Sequence, residues 1–411
     1  MLAIMSKKNL YLRVGILFVL GILFGLACPS AAVKVKWVGD LWMNGIRMLI
    51  IPIVFCSVVG GIAHLENAAT LKRLGGKVVL VYVFFTFASC VLAVAVASLL
   101  QPGVGAAFEN IPALTTQITQ IDLLGFFKNL APSNMIAAMA AGNTMQVIFV
   151  AICCGVAVVL VGEPAASFKN GVIAFLKVIY KIIDGVMALS PIGVFCLMAH
   201  ATAFYGPQLF TSLAKFIGTI WVACFLIILL VFTLPVVCYC KVGFGTWFKS
   251  LIPILLMTTA TNSSAATIPT TLSVAENTYR VPVKLTGFSI PLGATINLSG
   301  GACFTTIFAI FVAQFYQVHL GLEQLAYICV LSTIVAIAAP GIAGGGIVLG
   351  PLFLSMVGLP VELGGLLGGF YRLIDTAHTA ANVVGDVAGT LVVAKNEKMW
   401  DVSMMDGGKK D

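Results

Sequence analysis

Long apolar runs alternate with short polar interruptions along most of the chain, up to Lys395. An apolar run of about 20 residues is long enough to cross the hydrocarbon core of a bilayer as a helix. We therefore expect an all-α polytopic membrane protein. The pattern predicts eight transmembrane helices, at 12–27, 41–63, 77–99, 133–161, 172–204, 210–240, 283–318 and 360–395.

Two apolar stretches are interrupted in a different way. The segment "TNSSAATIPTT" breaks the first stretch, and "APGIAGGG" breaks the second. A broken helix exposes backbone groups, which a membrane tolerates only where protein or water covers them. Two oppositely oriented broken segments are typical of inverted repeats whose tips meet at a substrate site. We predict re-entrant helical hairpins at about 247–279 and 322–358, rather than two spans kinked at Pro269 and Pro340.

The basic residues support this topology. If the N-terminus is inside and each hairpin returns to its own side, the outside loops hold only Lys34, Lys36, Lys128 and Lys215. Basic residues are enriched in cytoplasmic loops of membrane proteins. We therefore expect both termini in the cytoplasm. Fifteen basic residues then lie inside: Lys7, Lys8, Arg13, Lys72, Arg73, Lys77, Lys169, Lys241, Lys249, Arg280, Lys284, Lys395, Lys398, Lys409 and Lys410.

The composition agrees with a protein that lies in a lipid bilayer. Only 9% of the residues are charged and 60% are hydrophobic, whereas soluble domains average about 25% charged residues. The net charge of +8 does not come from a basic patch, so we expect no nucleic-acid partner. Most of the eleven cysteines lie in apolar runs, where cysteine behaves as a small hydrophobe.

One predicted span is unusually polar. In "YRLIDTAHTAANVVGD" at 371–386, the side chains of Asp375, Thr379, Asn382 and Asp386 fall within about 60° of one another on a helix, with His378 on one flank. Each ionisable group at the bilayer centre costs about 2.5–3.5 kcal/mol on insertion scales. This stripe must therefore face a polar cavity.

The preceding span carries "PLGATINLSGGA" at 291–302, whose glycines and asparagine suggest local unwinding in mid-membrane. Unwinding would free carbonyl oxygens such as those of Gly293 and Asn297. Carbonyls and the carboxylate of Asp386 form a hard, all-oxygen site, which suits Na⁺. Packing by small residues explains the glycines but not the polar residues.

Together, these motifs resemble the glutamate and neutral amino acid transporter family, the dicarboxylate/amino acid:cation symporters. "TNSSAATIPTTLSVAEN", "PLGATINLSGGA", "GIAGGG" and "DTAHTAANVVGD" occur in the family's order and spacing, as do "RMLIIPIVFCSVVGGIA" and "SPIGVFCLMA". The resemblance implies a homotrimer with an elevator mechanism. It places a scaffold at 1–75 and 128–205, span 3 with its following loop at 76–127, a transport domain at 206–398 that also uses span 3, and a cytoplasmic tail at 399–411.

The resemblance also implies roles for individual residues. Asp375 would hold the amino group of a substrate, and the family's dicarboxylate carriers lack this aspartate. The expected substrate-binding residues are Ser263, Ser264, Gly301, Ile342, Gly346, Asp375, His378, Thr379 and Asn382. The expected Na⁺ ligands are Gly293, Asn297, Asn382 and Asp386 at one site, with Thr295 and carbonyls from Ala336 to Ala339 at another.

The chain departs from the glutamate carriers at three positions. His378 stands where they have an arginine for the side-chain carboxylate of the substrate, and Gly301 stands where they have a threonine. Ser299 stands where the family has an aspartate of a third sodium site, to which Tyr82 and Thr86 would also belong, and without that charge we expect two sodium sites rather than three.

These departures predict a symporter that imports a small neutral amino acid, such as serine, threonine or alanine, with Na⁺ as the coupling ion and no other cofactor. We expect it in the cell membrane, in bacteria the inner membrane, and we do not expect an enzyme. An acidic amino acid or dicarboxylate symporter, coupled to Na⁺ or to protons through His378, is the alternative.

An intramembrane aspartyl protease is a remote alternative. It would use Asp375 and Asp386 as its acid pair, but eleven residues of helix separate them by about 16 Å, too far to share a proton. A plain ion channel would not need such a paired site for an ammonium and a carboxylate.

Overall fold

The structure is a computed structural model and describes residues 10–63, 68–104, 131–205, 208–339, 344–361, 363–364 and 367–406. The N-terminal half consists of helices and short connections. Its helices are α1 (Leu10–Ala27), α2 (Pro29–Lys34), α3 (Lys36–Arg47), α4 (Ile50–Ala63), α5 (Ala68–Leu100), α6 (Met135–Ala140), α7 (Thr144–Val161), α8 (Ala166–Ala188) and α9 (Ser190–Tyr205).

The C-terminal half is helical as well. Wide π-helical turns, Ile227–Thr233 and Pro235–Tyr239, extend its first helix. Its helices are α10 (Gln208–Leu226), α11 (Phe244–Thr261), α12 (Ser264–Ser273), α13 (Val283–Ile296), α14 (Ser299–Phe315), α15 (Leu322–Ala338), α16 (Gly345–Met356) and α17 (Leu367–Asn396).

Three predicted spans are interrupted, so their prediction as continuous helices was wrong. The span at 41–63 breaks between Arg47 and Ile50, and the span at 172–204 breaks at Leu189. Each break shortly precedes a proline, Pro52 or Pro191, which lacks the N–H that would continue the helical ladder. The span at 133–161 breaks at Gly142, whose φ of +71° suits glycine.

The span predicted at 283–318 unwinds where its motif indicated. Helix α13 ends at Ile296 and α14 begins at Ser299. Between them Asn297 has φ −98° and ψ 57°, outside the helical region. The prediction of local unwinding is confirmed.

Among the described residues, three helical segments are long and apolar enough to cross a membrane. They are Leu74–Leu100, Thr211–Tyr239 and Val283–Phe315, and the last of them includes the break at Asn297. Shorter apolar helices include Arg13–Ala27 and Phe149–Val161. Large apolar side chains such as Leu80, Leu99 and Leu160 are exposed, and lipid tails can cover such surface at little cost.

The helices pack in two groups. In the first, α1 and α3 pack on α9, and α4 packs on α7 and α8. In the second, α17 is central and contacts α5, α10, α11, α13 and α14. The polar helix is thus surrounded by protein.

Both predicted hairpin regions lie in the second group. Helices α11 and α12 pack against each other and against α17, and they join at Asn262, whose φ of 48° is left-handed. Helices α15 and α16 both pack on α14. The prediction at Pro340 and Ile342 falls outside the described residues.

Candidate functional site

A partly open cavity of about 30 Å³ lies where the ends of the broken helices approach α17. The joint between α11 and α12, the start of α16, and α14, α15 and α17 contribute its walls. The predicted site residues among its lining are Ser264, Gly301, Ala336, Ala339, Gly346, Asp375, His378, Thr379 and Asn382.

Asp375 is buried, with 3% of its surface exposed. Its Oδ2 accepts a hydrogen bond from the backbone N–H of Gly344 at 2.8 Å, and its Oδ1 accepts one from the Thr379 hydroxyl at 3.0 Å. Gly344 is the N-cap of α16, and a helix N-terminus stabilises negative charge. Asp375 therefore joins α17 to the second broken segment and presents a carboxylate to the cavity.

His378 contacts two side chains of its own helix. Its Nε2 lies 2.6 Å from the hydroxyl oxygen of Tyr371 and 3.1 Å from Asp375 Oδ1. The Phe304 ring stacks on its other side, with 6.1 Å between ring centroids. Within the described part of the chain, the buried Nδ1 atom has no hydrogen-bond partner.

Tyr371 was missed by the sequence reasoning. It lies seven residues before His378, so two helical turns place both side chains on one face. Tyrosine reads as an apolar residue in a span, and its hydroxyl becomes informative only through its neighbour.

Asn382 is oriented by the break in the preceding span. Its Oδ1 accepts hydrogen bonds from the backbone N–H groups of Gly300 at 2.8 Å and Gly301 at 3.3 Å. Because the carboxamide oxygen is engaged, the amide nitrogen remains as a donor for a ligand. Asn382 can therefore donate to a substrate carboxylate.

The joint between α11 and α12 contributes a helix N-terminus. Ser263 caps α12 by accepting from the Ala266 backbone N–H at 3.3 Å, whereas Ser264 is buried and lines the cavity. Asn262, which the motif reading did not assign, donates from Nδ2 to the backbone oxygen of Arg372 at 3.2 Å. This bond holds the joint against α17.

The predicted first cation site is compact. Nδ2 of Asn297 lies 2.9 Å from Asp386 Oδ1 and 3.2 Å from the backbone oxygen of Asn382. A Cβ atom on Gly293 would lie 2.5 Å from Asp386 Oδ1, so glycine permits this approach. A carboxylate and a carbonyl thus converge beside unwound backbone, and such hard oxygen donors suit Na⁺.

The second and third predicted cation sites are less complete. The Thr295 side chain is exposed, and its hydroxyl donates to the Leu292 carbonyl at 2.7 Å. Ser299 donates to Asn297 Oδ1 at 2.9 Å and lies 3.2 Å from the Thr86 hydroxyl. Tyr82 is buried, with its hydroxyl 3.2 Å from the Asp386 carbonyl. Neutral hydroxyls thus occupy the region of the third site.

A helical membrane protein whose broken helices meet at a cavity lined by buried polar side chains has the architecture typical of a membrane transporter. The model of the sodium:dicarboxylate symporter family matches residues 10–396. The chain belongs to this family, which confirms the resemblance. Because its members are symporters, the expectation of no enzyme is confirmed, and the aspartyl protease alternative is dropped.

Three curated relatives match nearly end to end, and each is named C4-dicarboxylate transport protein. The Bacillus subtilis protein is 28% identical, over 98% of this chain and 98% of its own length. The Deinococcus radiodurans protein is 30% identical, over 97% of this chain and 91% of its own length. The Edwardsiella ictaluri protein is also 30% identical, over 97% and 95% respectively.

Proposed function

We propose that this protein is a Na⁺-coupled symporter whose substrate is a four-carbon dicarboxylic acid. The names of its relatives support this substrate class over the small neutral amino acid that the motif reading predicts. The observation in the site that carries the proposal is the orientation of Asn382. With its oxygen engaged by Gly300 and Gly301, its amide donates toward the cavity, where it can hold one carboxylate.

The charge of Asp375 means that a dicarboxylate needs a proton to enter the cavity with it. A dicarboxylate carries two negative charges into a cavity that already holds the Asp375 carboxylate, and like charges out of water repel strongly. The repulsion is relieved when a proton enters with the substrate, on Asp375 or on His378. Dicarboxylate uptake should therefore increase at acidic pH.

A small neutral amino acid is the second candidate, and Asp375 itself favours it. The Asp375 carboxylate can pair with an ammonium group while Asn382 holds the α-carboxylate. Gly301 and His378 leave the far end of the cavity without an arginine–threonine pair for a second carboxylate. This substrate needs no added proton.

Uptake into proteoliposomes distinguishes the two candidates. With an inward Na⁺ gradient, labelled succinate, L-aspartate and L-serine are compared at acidic and neutral pH. Succinate uptake that rises at acidic pH supports the first candidate, and serine uptake without pH dependence supports the second. Uptake of none of the three in the presence of Na⁺ would contradict both.

The variant Asp375→Asn gives the decisive contrast, with the exposed Asp401→Asn as its control. Removing the charge should abolish serine uptake, because a charge-assisted contact in a desolvated site is worth about 2–5 kcal/mol. The same change should preserve succinate uptake and flatten its pH dependence. Equal loss of both substrates would leave Asp375 with a structural role only.

The transport cycle is proposed on the same basis. The helices fall into two packing groups, which supports an elevator movement of the C-terminal group, with α5, against the remainder in a homotrimer. The excess of basic residues in the predicted inside loops supports cytoplasmic termini in a bacterial inner membrane. Native mass measurement of the detergent-solubilised protein tests the trimer, since a monomer would contradict it.

A further inference from the structure

Tyr371 lies at the meeting point of three parts of the cavity. Only 2% of its surface is exposed. Its hydroxyl oxygen is 2.6 Å from His378 Nε2, and its ring meets Phe304 edge-on with 5.4 Å between centroids. Phe304 in turn stacks on His378. The phenol therefore fixes one side of the histidine ring, and Phe304 fixes its face.

The same hydroxyl also contacts the second broken segment. A Cβ atom on Gly346 would lie 1.9 Å from the Tyr371 hydroxyl oxygen, so the backbone of α16 passes directly over the phenol. Across the 2.6 Å contact, the Tyr371 hydroxyl can donate its proton to His378 Nε2.

This arrangement has a consequence for the histidine. Asp375 Oδ1, 3.1 Å from Nε2, favours a proton on that nitrogen, whereas the Tyr371 hydroxyl competes for the same nitrogen as a donor. When the Tyr371 hydroxyl donates to Nε2, the proton of a neutral imidazole must be on Nδ1. That nitrogen is the buried atom without a partner in the described structure, on a residue that lines the cavity. A polar group of a substrate would give it one.

We propose that Tyr371 is a positioning residue for His378. Its hydroxyl sets the orientation and the tautomer of the His378 ring, and it links both to the position of the Gly346 backbone over the cavity. The residue acts through His378 and need not touch the substrate. Its effect is on selectivity for a polar group at the His378 end of the cavity. The selectivity part rests on the proposed transport function, whereas the tautomer part does not.

Nitrogen NMR of the intact protein in bilayers tests the tautomer directly. The chain has four histidines, and the spectrum of His378→Asn identifies the signals of His378. In Tyr371→Phe, which keeps the ring but removes the hydroxyl, we expect the proton to move from Nδ1 toward Nε2, beside Asp375. Unchanged His378 signals would overturn the proposal.

Tyr279→Phe is the matched control. Tyr279 is also buried, and its hydroxyl lies 2.5 Å from Ser250 Oγ, outside the cavity lining. This variant loses one buried hydroxyl contact but should leave the His378 signals in place. The same spectral change in both variants would indicate a general loosening and would also overturn the proposal.

Transport measurements test selectivity with substrates that differ by one hydroxyl. The pairs are malate with succinate and L-serine with L-alanine. Tyr371→Phe should change the affinity ratio within the transported pair by about fivefold, as for one buried hydrogen bond. In a His378→Asn background the same substitution should have little effect, because coupled residues are non-additive.

The outcomes separate the two proposals. If no member of either pair is transported, the proposed function fails while the NMR result still decides the role of Tyr371. If one pair is transported, two results together would show that Tyr371 has no role in selectivity. Tyr371→Phe would leave the affinity ratio within that pair unchanged, and its effect would simply add to that of His378→Asn.

Discussion

Asn297 Nδ2 donates to Asp386 Oδ1 across 2.9 Å, which joins the break between α13 and α14 to the central helix α17. The same nitrogen reaches the Asn382 carbonyl at 3.2 Å. Two oxygens that a cation can bind are thus brought together by one amide. The position of the unwound turn and the geometry of the candidate cation site therefore depend on each other.

Gly293→Ala should weaken Na⁺ binding by about tenfold, since overpacking by one methyl costs about 1–3 kcal/mol. The new Cβ would lie 2.5 Å from Asp386 Oδ1 and 2.9 Å from the Tyr82 hydroxyl. Na⁺-dependent thermal stabilisation measures the affinity. Gly287→Ala on the same helix is the control, because nothing lies within 4 Å of its Cβ. Equal losses of Na⁺ affinity in Gly293→Ala and Gly287→Ala would contradict a cation site beside Gly293.

Asp386→Ala should eliminate Na⁺-stimulated uptake and the stabilisation by NaCl. The carboxylate is 1% exposed, and a buried cation without a nearby carboxylate keeps most of its desolvation cost. Melting temperatures in NaCl and in choline chloride measure the difference. Asp401→Asn, at an exposed carboxylate, should keep the wild-type difference between NaCl and choline chloride. A normal Na⁺ response in Asp386→Ala would exclude Asp386 as a ligand.

Ser299→Ala should change Na⁺ stimulation only a few-fold. The hydroxyl makes neutral contacts with Asn297 and Thr86, and a net hydrogen bond contributes about 0.5–1.5 kcal/mol. We expect two Na⁺ per substrate, because this position has no charged ligand for a third ion. Reversal potentials in proteoliposomes give the stoichiometry, and a value of three would refute the two-ion prediction.

Gly300→Ala should destabilise the protein, whereas Gly301→Ala should fold normally. A Cβ on Gly300 would lie 2.1 Å from the His378 carbonyl oxygen, which is backbone and cannot rotate away. A Cβ on Gly301 would meet its nearest neighbour, Leu298 Cβ, at 3.6 Å, an ordinary contact. Thermal unfolding of both variants in one detergent tests this, and a reversed order of stability would show that the turn is placed differently.

Acid should release the segment that follows α17. Hydrogen bonds from the Ser403 backbone N–H and from Lys395 lower the pKa of Asp401. A carboxyl group whose pKa is lower in the folded state stabilises the fold at any pH above its pKa in the unfolded state, about 3.9 for aspartate. This contribution disappears as the pH falls through the pKa of the folded state. Fluorescence of the adjacent buried Trp400 should follow the titration. Asp401→Asn should lack this transition, and a persistent transition would assign it to another group.

Much of the architecture follows from local pattern. Apolar runs predicted α1, α5 and α17 to within nine residues at their ends, because an apolar helix is the cheapest way to place backbone in lipid. The unwinding at Asn297 was also predictable, since polar and glycine-rich sequence is unfavourable inside a continuous span. The breaks near Pro52, Gly142 and Pro191 were not, because a helix with such residues can instead kink.

In the candidate site, too, some features follow from the local sequence and others do not. The face shared by Asp375, Thr379, Asn382 and Asp386 follows from helical periodicity alone. Their partners do not, because Gly344, Gly300 and Asn297 are distant in sequence from the residues they contact. The exposed position of Thr295 was likewise not predictable from its motif.

The sequence by itself determined a helical membrane protein with two broken segments, a polar face on its last span and membership of a symporter family. Periodicity, hydropathy and motif spacing are local properties, so they can be read without coordinates. Only the tertiary structure decided that Tyr371 meets His378, that Asp375 caps α16 and that Asn382 is held by Gly300 and Gly301. These contacts depend on side-chain direction and on helix packing over long sequence separations, which no local pattern specifies.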